Sequence, residues 1–152
     1  MCDNIKKAAK YYKLAKFNAE LFSKDPDTKV GTILLSQDFG RILSTGINGF
    51  CRKMNDDNKE HWKRPDKYIR MIHSELNAVL NAARTGTSVE NSIAVITMFP
   101  CKECSKAMIQ AGISQIYVPP PDFENPRWGK DFETSLEMFN EVGMKIVYLN
   151  EK

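Results

Sequence analysis

Apolar residues recur along this chain at two spacings, and the alternation between them lays out its elements. From Ile5 to Phe22, Ala8, Tyr11, Tyr12, Ala15, Leu21 and Phe22 fall near helical spacing while Lys6, Lys7, Lys10, Lys13 and Lys16 take the other side, which predicts an amphipathic helix with a solvated basic face. Pro26 in Asp25-Pro26-Asp27 ends it, because a proline forces its predecessor out of the helical region. Val30–Leu35 is a nearly continuous apolar run and reads as a first strand. Gln37-Asp38-Phe39-Gly40 turns the chain into a second strand, Arg41 to Ile47, so the two should form an antiparallel hairpin. Asn48-Gly49 breaks that strand, and the polar stretch Arg52–Lys63 reads as a long loop before Arg64-Pro65-Asp66-Lys67-Tyr68. Loops of that length inside a compact domain are more often functional than idle.

Helical spacing returns over His73–Ala83, with Leu76, Val79 and Leu80 on the apolar side and Thr85-Gly86-Thr87 as its close. Ile93–Met98 is a short buried strand that delivers Pro100 to a third helix, Cys101–Ala111, with Gly112 just past its end. Ser114–Val118 is a fourth strand, and Pro119-Pro120-Pro121 stiffens the chain into an extended, non-helical segment. A second long loop, Phe123–Gly129, leads to a last helix, Asp131–Val142, striped by Phe132, Leu136 and Phe139 and stopped by Gly143; Lys145–Leu149 is the last strand. Helices alternating with short buried strands predict an α/β fold, a three-layer α/β/α sandwich around a mixed five-stranded sheet. Such sheets hold ligands at strand ends near helix N-termini. A chain of 152 residues is expected to form a single domain, 1–152.

Composition narrows the partners. Hydrophobic content of 42% and charged content of 27% are ordinary for a globular protein. The net charge of +3, from 22 basic and 19 acidic residues, is too even for a dedicated binder of nucleic acid polymers but suits an anionic small molecule. No apolar run approaches the roughly eighteen residues that cross a bilayer, and Met1-Cys2-Asp3-Asn4 lacks a signal-peptide pattern, so a cytoplasmic location with reduced thiols is expected. Of the four cysteines, Cys2 is placed in a frayed terminus, and Cys51 is either a small buried residue or part of a functional loop.

The remaining two sit where chemistry is expected. His73-Ser74-Glu75 and Pro100-Cys101-Lys102-Glu103-Cys104 offer one imidazole and two thiolates, three corners of a tetrahedral zinc site with the fourth open. Cys101 and Cys104 are three apart and share a helix face, and Pro100 suits a helix start, where the dipole favours thiolate. Glu75 is placed to reach water at the open corner without ligating the metal. A lone Cys-x-x-Cys would favour a structural zinc knuckle or a buried thiol pair, but with His-x-Glu and Pro added the pattern is the zinc-deaminase signature. Zinc supplies activated water near neutral pH, and the bond suited to it is an amidine carbon bearing an amino group, such as C4 of cytosine.

Read at full length, the chain resembles the deoxycytidylate (dCMP) deaminases of the cytidine deaminase-like superfamily, in particular the short bacterial and phage type. The matching segments are Lys24-Asp25-Pro26-Asp27-Thr28-Lys29-Val30-Gly31, Gly46-Ile47-Asn48-Gly49-Phe50, Arg64-Pro65-Asp66-Lys67-Tyr68, His73-Ser74-Glu75-Leu76-Asn77-Ala78, Phe99-Pro100-Cys101-Lys102-Glu103-Cys104, Ile109-Gln110-Ala111-Gly112-Ile113 and Arg127-Trp128-Gly129-Lys130-Asp131-Phe132. By that resemblance His73, Cys101 and Cys104 hold one zinc ion and Glu75 shuttles protons in the hydrolysis of dCMP to dUMP and ammonia, feeding dTMP synthesis. Asn48 matches the family's sugar-hydroxyl ligand, against the alternative of a plain turn residue. Val30, Gly31 and Thr32, with Pro100, match the wall of the base pocket. Lys29 is the candidate for the 5'-phosphate, or else a solvated strand-edge lysine, and Arg127, Arg64 and Arg52 compete for that role. Trp128 and Phe50 either stack on the base or pack.

Two positions depart from the family pattern. Ser74 stands where alanine is usual, and Cys51 where proline commonly follows Gly-Phe. By the resemblance, the loop that carries Cys51 belongs to the region where regulated members bind dCTP and dTTP with magnesium at subunit contacts, and the family is commonly a homo-oligomer, often a hexamer. Rival readings are another amine substrate on the same apparatus (cytidine, deoxycytidine, dCTP, guanine or adenosine in tRNA), or a silent zinc-stabilised nucleotide-binding domain. Whether Cys51 and His61 hold a second metal is left open.

Overall fold

The computed structural model describes residues 2–150. Its elements run α1 (Cys2–Phe22), β1 (Gly31–Leu35), β2 (Ile42–Ile47), β3 (Gly49–Phe50), α2 (Asp66–Arg70), β4 (Met71–Ile72), α3 (Ser74–Thr85), β5 (Ile93–Ile96), α4 (Lys102–Gln110), β6 (Gln115–Val118), α5 (Gly129–Glu141) and β7 (Lys145–Tyr148), with a short 3-10 turn at Lys59–Trp62. The main sheet has five strands in the order β2-β1-β5-β6-β7. β1 is antiparallel to both neighbours, whereas β5, β6 and β7 are parallel, so the sheet is mixed as expected.

Side chains alternate across a strand, and here the alternation sorts two cores. Ile33, Leu35, Ile93, Val95 and Tyr117 face α1, meeting Ala8, Tyr12 and Ala15. Leu34, Ala94, Ile96, Ile116 and Val118 face the other way, onto Ala78 and Ala82 of α3, Met108 of α4 and Phe132 and Phe139 of α5. This is the three-layer α/β/α sandwich. Two glycines set its thickness: a Cβ at Gly31 would strike the Ala15 carbonyl of α1, and one at Gly46 would strike the Ser74 carbonyl of α3. The layers therefore meet backbone to backbone beside the start of α3.

Helical spacing chose α1 correctly but misjudged its end. The buried stripe is Ala8, Tyr12, Ala15 and Ala19, while Leu21 and Phe22 are 58% and 66% exposed. Ala19 continues the helical repeat begun at Ala8, and Leu21 lies across the helix from it. Leu80 is likewise exposed, with Ala78 and Ala82 taking the core side of α3. α1 starts at Cys2 and not Ile5; the Cys2 side chain lies outside the described residues. The chain leaves the main sheet at Asn48 as expected, but Gly49–Phe50 at once pairs with Met71–Ile72. Strands of two residues carry no periodicity to read. The loop between them is folded back by Trp62, which is buried, stacks on Phe50 at 4.1 Å between ring centroids, and donates its indole N–H to the Asp56 carbonyl.

Candidate active site

The sandwich brings two helix starts to one end of the sheet. β1 runs antiparallel to β5, so the beginning of β1 lies beside the end of β5, and the Thr97 N–H donates to the Gly31 carbonyl across the junction. His73 immediately precedes α3 and Cys101 immediately precedes α4, both in extended conformation, with Cys104 in the first turn of α4. Helical spacing predicts each as a first helical residue; standing one position outside frees its side chain to turn inward.

His73 Nδ1 lies 3.4 Å from Cys101 Sγ and 3.6 Å from Cys104 Sγ, and the three ligand atoms lie within 4.8 Å of one another. A tetrahedral zinc with ordinary Zn–S and Zn–N bonds separates nitrogen from sulfur by about 3.6 Å, so this donor set fits the ion in type, number and spacing. The thiols already favour charge separation. A hydrogen bond from Cys104, and after it one from His73, pulls the Cys101 thiol down to about 4. Cys104, which keeps the shared proton, is driven up by that same contact and by burial. His73 is raised by its bond to Cys101.

Glu75 borders the same cleft, 4% exposed, and burial raises its pKa. The cleft above it is walled by the apolar side chains of Val30, Met71, Met98, Phe99 and Phe132, and the edge of Trp128 meets the His73 ring at 5.7 Å. Its polar side is a closed network. Asn48 Nδ2 donates to Asp25 Oδ2 and the Thr28 carbonyl, and Asn48 Oδ1 accepts from the Val30 N–H and the Ser23 hydroxyl. Lys67, 3% exposed, bonds Asp25 at 2.6 Å and Asp27 at 2.9 Å. The exposed rim carries cations: Arg64 pairs with Asp27 at 3.1 Å, and Arg127 lies 3.4 Å over the Tyr68 ring and 4.3 Å from the Trp128 ring. Among the described residues Arg127 has no carboxylate within ion-pair distance.

Residues 5–119 match the family model described as the cytidine and deoxycytidylate deaminase zinc-binding region. The chain belongs to this family. Among relatives of this deaminase, an uncharacterized deaminase in the luxG 3' region of Aliivibrio fischeri is 34% identical, over 93% of this chain and 92% of its own length. The deoxycytidylate deaminase of Enterobacteria phage T2 is 41% identical, over 78% of this chain and 84% of its own. Human deoxycytidylate deaminase is 33% identical over 70% of this chain, which spans 61% of that longer protein. In fold, the dCMP deaminase of cyanophage S-TIM5, solved in complex with dCMP and dUMP, superposes with a TM-score of 0.74 at 23% identity, covering 93% of this chain and 95% of that one.

Of the residues expected at the deaminase site, His73, Glu75 and Cys101 line the cleft, Cys104 closes the donor triangle, and Val30, Asn48, Arg127 and Trp128 stand along the walls. Others are not brought there. Lys29 donates to the Glu20 carbonyl at 3.0 Å, because α1 ends beside it. Phe50 is stacked on Trp62. Gly31 and Thr32 lie in β1, the Gly31 N–H held by Thr97 Oγ1 and the Thr32 hydroxyl turned to Ser74, and Pro100 is buried next to Cys101. Arg52 reaches Asn81 instead of the rim. Cys51 is exposed, His61 contacts Asn58, and no second metal-binding group forms among the described residues. Sequence reasoning does not find Asp25, Lys67 and Tyr68 as site residues: Asp25 reads as part of a helix stop and Lys67-Tyr68 as a lead-in, and the separation of 42 positions between Asp25 and Lys67 leaves no local trace of their pairing.

Proposed function

We propose that this chain catalyses the zinc-dependent hydrolytic deamination of dCMP to dUMP and ammonia. The observation that carries the reading is a buried Glu75 in the same apolar-walled cleft as a His73-Cys101-Cys104 triangle of zinc dimensions. His73, Cys101 and Cys104 hold the ion, which supplies water activated for attack at neutral pH. Glu75 takes a proton from the attacking water on a carboxylate oxygen, delivers one to ring N3 as C4 is attacked, and transfers another to the departing amine. Its raised pKa suits a group that must both take and give protons. The apolar wall of Val30, Phe99 and Phe132 excludes bulk water from the pyrimidine.

Selection of a nucleotide over a nucleoside falls to Arg127, with Arg64 beside it. Arg64 and Lys67 are already neutralised by Asp27 and Asp25, whereas the Arg127 guanidinium is held against two rings with no carboxylate among the described residues to take its donors. Asn48 spends both amide hydrogens on Asp25 and the Thr28 carbonyl and accepts from the Val30 N–H, so its part is to hold Asp25 and the Val30 backbone at the sugar end of the cleft. Trp128 covers the base from the side of His73.

The reading extends to a single domain acting in the cytoplasm as a homo-oligomer, with Leu14, Phe17 and Leu21 forming an exposed stripe on α1 that a neighbouring subunit would cover. No helix among the described residues is long and apolar enough to cross a membrane. Control by dCTP and dTTP with magnesium follows from the family resemblance, with no added support from the exposed Cys51. Ammonia release measured on dCMP, dCTP, deoxycytidine and a tRNA anticodon stem tests the substrate. We expect kcat/KM for dCMP to exceed that for deoxycytidine by about 10- to 100-fold, the worth of one or two charge-assisted hydrogen bonds; equal rates would reject dCMP as the substrate.

A further inference from the structure

We propose that Ser74 is a positioning residue for the proton shuttle, anchoring Oε2 of Glu75 through a buried pair of hydroxyls that it forms with Thr32 of β1. The inference rests on the reading of Glu75 as the shuttle. Ser74 Oγ lies 3.1 Å from Glu75 Oε2 and 2.8 Å from Thr32 Oγ1. Ser74 is 0% exposed and Thr32 1%, so solvent does not compete for either hydroxyl. A serine hydroxyl has one hydrogen and two lone pairs. Spending that hydrogen on the carboxylate leaves Ser74 to accept from Thr32, and the chain of donation runs Thr32 to Ser74 to Glu75.

This direction matters because the terminal torsion of a glutamate is soft, with broad wells that let its two oxygens exchange places. A hydrogen bond on Oε2, beside the one the carboxylate takes from its own backbone N–H, restricts that freedom and makes Oε2 the anchored oxygen. The pair also has no evident packing purpose. It lies between β1 and α3, where Leu34 and Ala78 fill the neighbouring space with apolar groups, and two buried hydroxyls hold their place there only if each finds a partner. The Ser74 carbonyl is seated against Gly46, which fixes the start of α3 and therefore the height of the serine above the sheet.

The test compares wild type, Ser74→Ala, Thr32→Val, Thr32→Ser and the Ser74→Ala/Thr32→Val double variant, by steady-state kinetics on dCMP, by zinc content and by crystal structures. We expect Ser74→Ala to lower kcat about 10- to 150-fold, the scale of a lost hydrogen bond to a charged group, with KM within about twofold and zinc stoichiometric. Thr32→Val should lose less, Thr32→Ser should recover most of that loss, and the double variant should be no slower than Ser74→Ala, because both act through one chain. In the Ser74→Ala crystal the Glu75 carboxylate should occupy more than one orientation, a readout independent of turnover. Wild-type kcat in Ser74→Ala, losses that multiply in the double variant, or an unmoved single Glu75 conformer would overturn the proposal. A wild-type protein inactive on dCMP would instead overturn the underlying reading of the site.

Discussion

At the floor of the cleft His73, Glu75, Cys101 and Cys104 stand at or beside the first turns of two helices, whereas at its rim Arg64, Tyr68, Arg127 and Trp128 arrive from two segments some sixty residues apart in the chain. The floor is buried but for the half-buried His73, and is tied to the sheet through β5 and to β2 through Gly46. The rim is exposed and held by ring stacking and one ion pair. On the proposed reading, chemistry depends on groups whose positions are set by regular backbone, and substrate choice on groups whose positions are set by contacts between loops. Substitutions at the two ends should therefore fail in different ways, with floor variants losing kcat and rim variants raising KM.

The largest effect belongs to the floor. Glu75→Gln keeps shape and burial while removing the base, and should lower kcat by about 10²- to 10⁴-fold with zinc still bound. Zinc analysis beside ammonia assay checks this, and substantial turnover in the variant would sink the mechanism. Cys104→Ala should lose zinc itself, since an imidazole and one thiolate leave only two of the three protein ligands, and a chelator should reproduce that loss reversibly in wild type.

Next comes the wall that joins the two ends. Lys67→Met strips the cation from a buried pair in which Lys67 and Asp25 are 3% and 1% exposed, and leaves Asp25 charged in the interior. Loss of one partner of such a pair costs about 3 to 5 kcal/mol, to be read from the denaturation midpoint. A midpoint unchanged within about 1 kcal/mol would mean that Asp25 is satisfied by Asn48 and the Asp27 and Thr28 amides alone.

The same contrast explains what the sequence could disclose. The zinc triangle is legible because its members are close in sequence and of rare type: His73 with Glu75, and Cys101 with Cys104. Four of the five helices are legible because each buries a periodic face, and the central strands β1, β5 and β6 because each is a short run buried at every residue; α2, five residues long, has no period to read. The β3–β4 pair and the Lys67–Asp25 ion pair are not legible, since each joins residues more than twenty positions apart without a local pattern. Lys29 is drawn to the phosphate by its neighbourhood in sequence, yet the end of α1 offers it a carbonyl and turns it from the cleft. Arg127 stands at the rim as one of the candidate cations, but the ring that fixes it, Tyr68, lies 59 positions before it, in a segment that reads only as a lead-in.

Smaller effects at the rim separate charge from placement. Arg127→Ala should raise KM for dCMP about 10- to 100-fold while leaving kcat and the deoxycytidine rate nearly unchanged. Arg127→Lys keeps the charge but not the planar fork, so it should recover only part of that loss. Tyr68→Leu keeps Arg127 itself and removes the ring 3.4 Å beneath its guanidinium. A partly exposed cation–π contact is worth about 0.5 to 1 kcal/mol, so KM should rise about two- to fivefold with kcat unchanged, and Tyr68→Phe, which retains the ring, should restore it. If Tyr68→Leu instead lowered kcat at constant KM, the rim would be acting on the chemistry, and the division between the two ends of the cleft would fail.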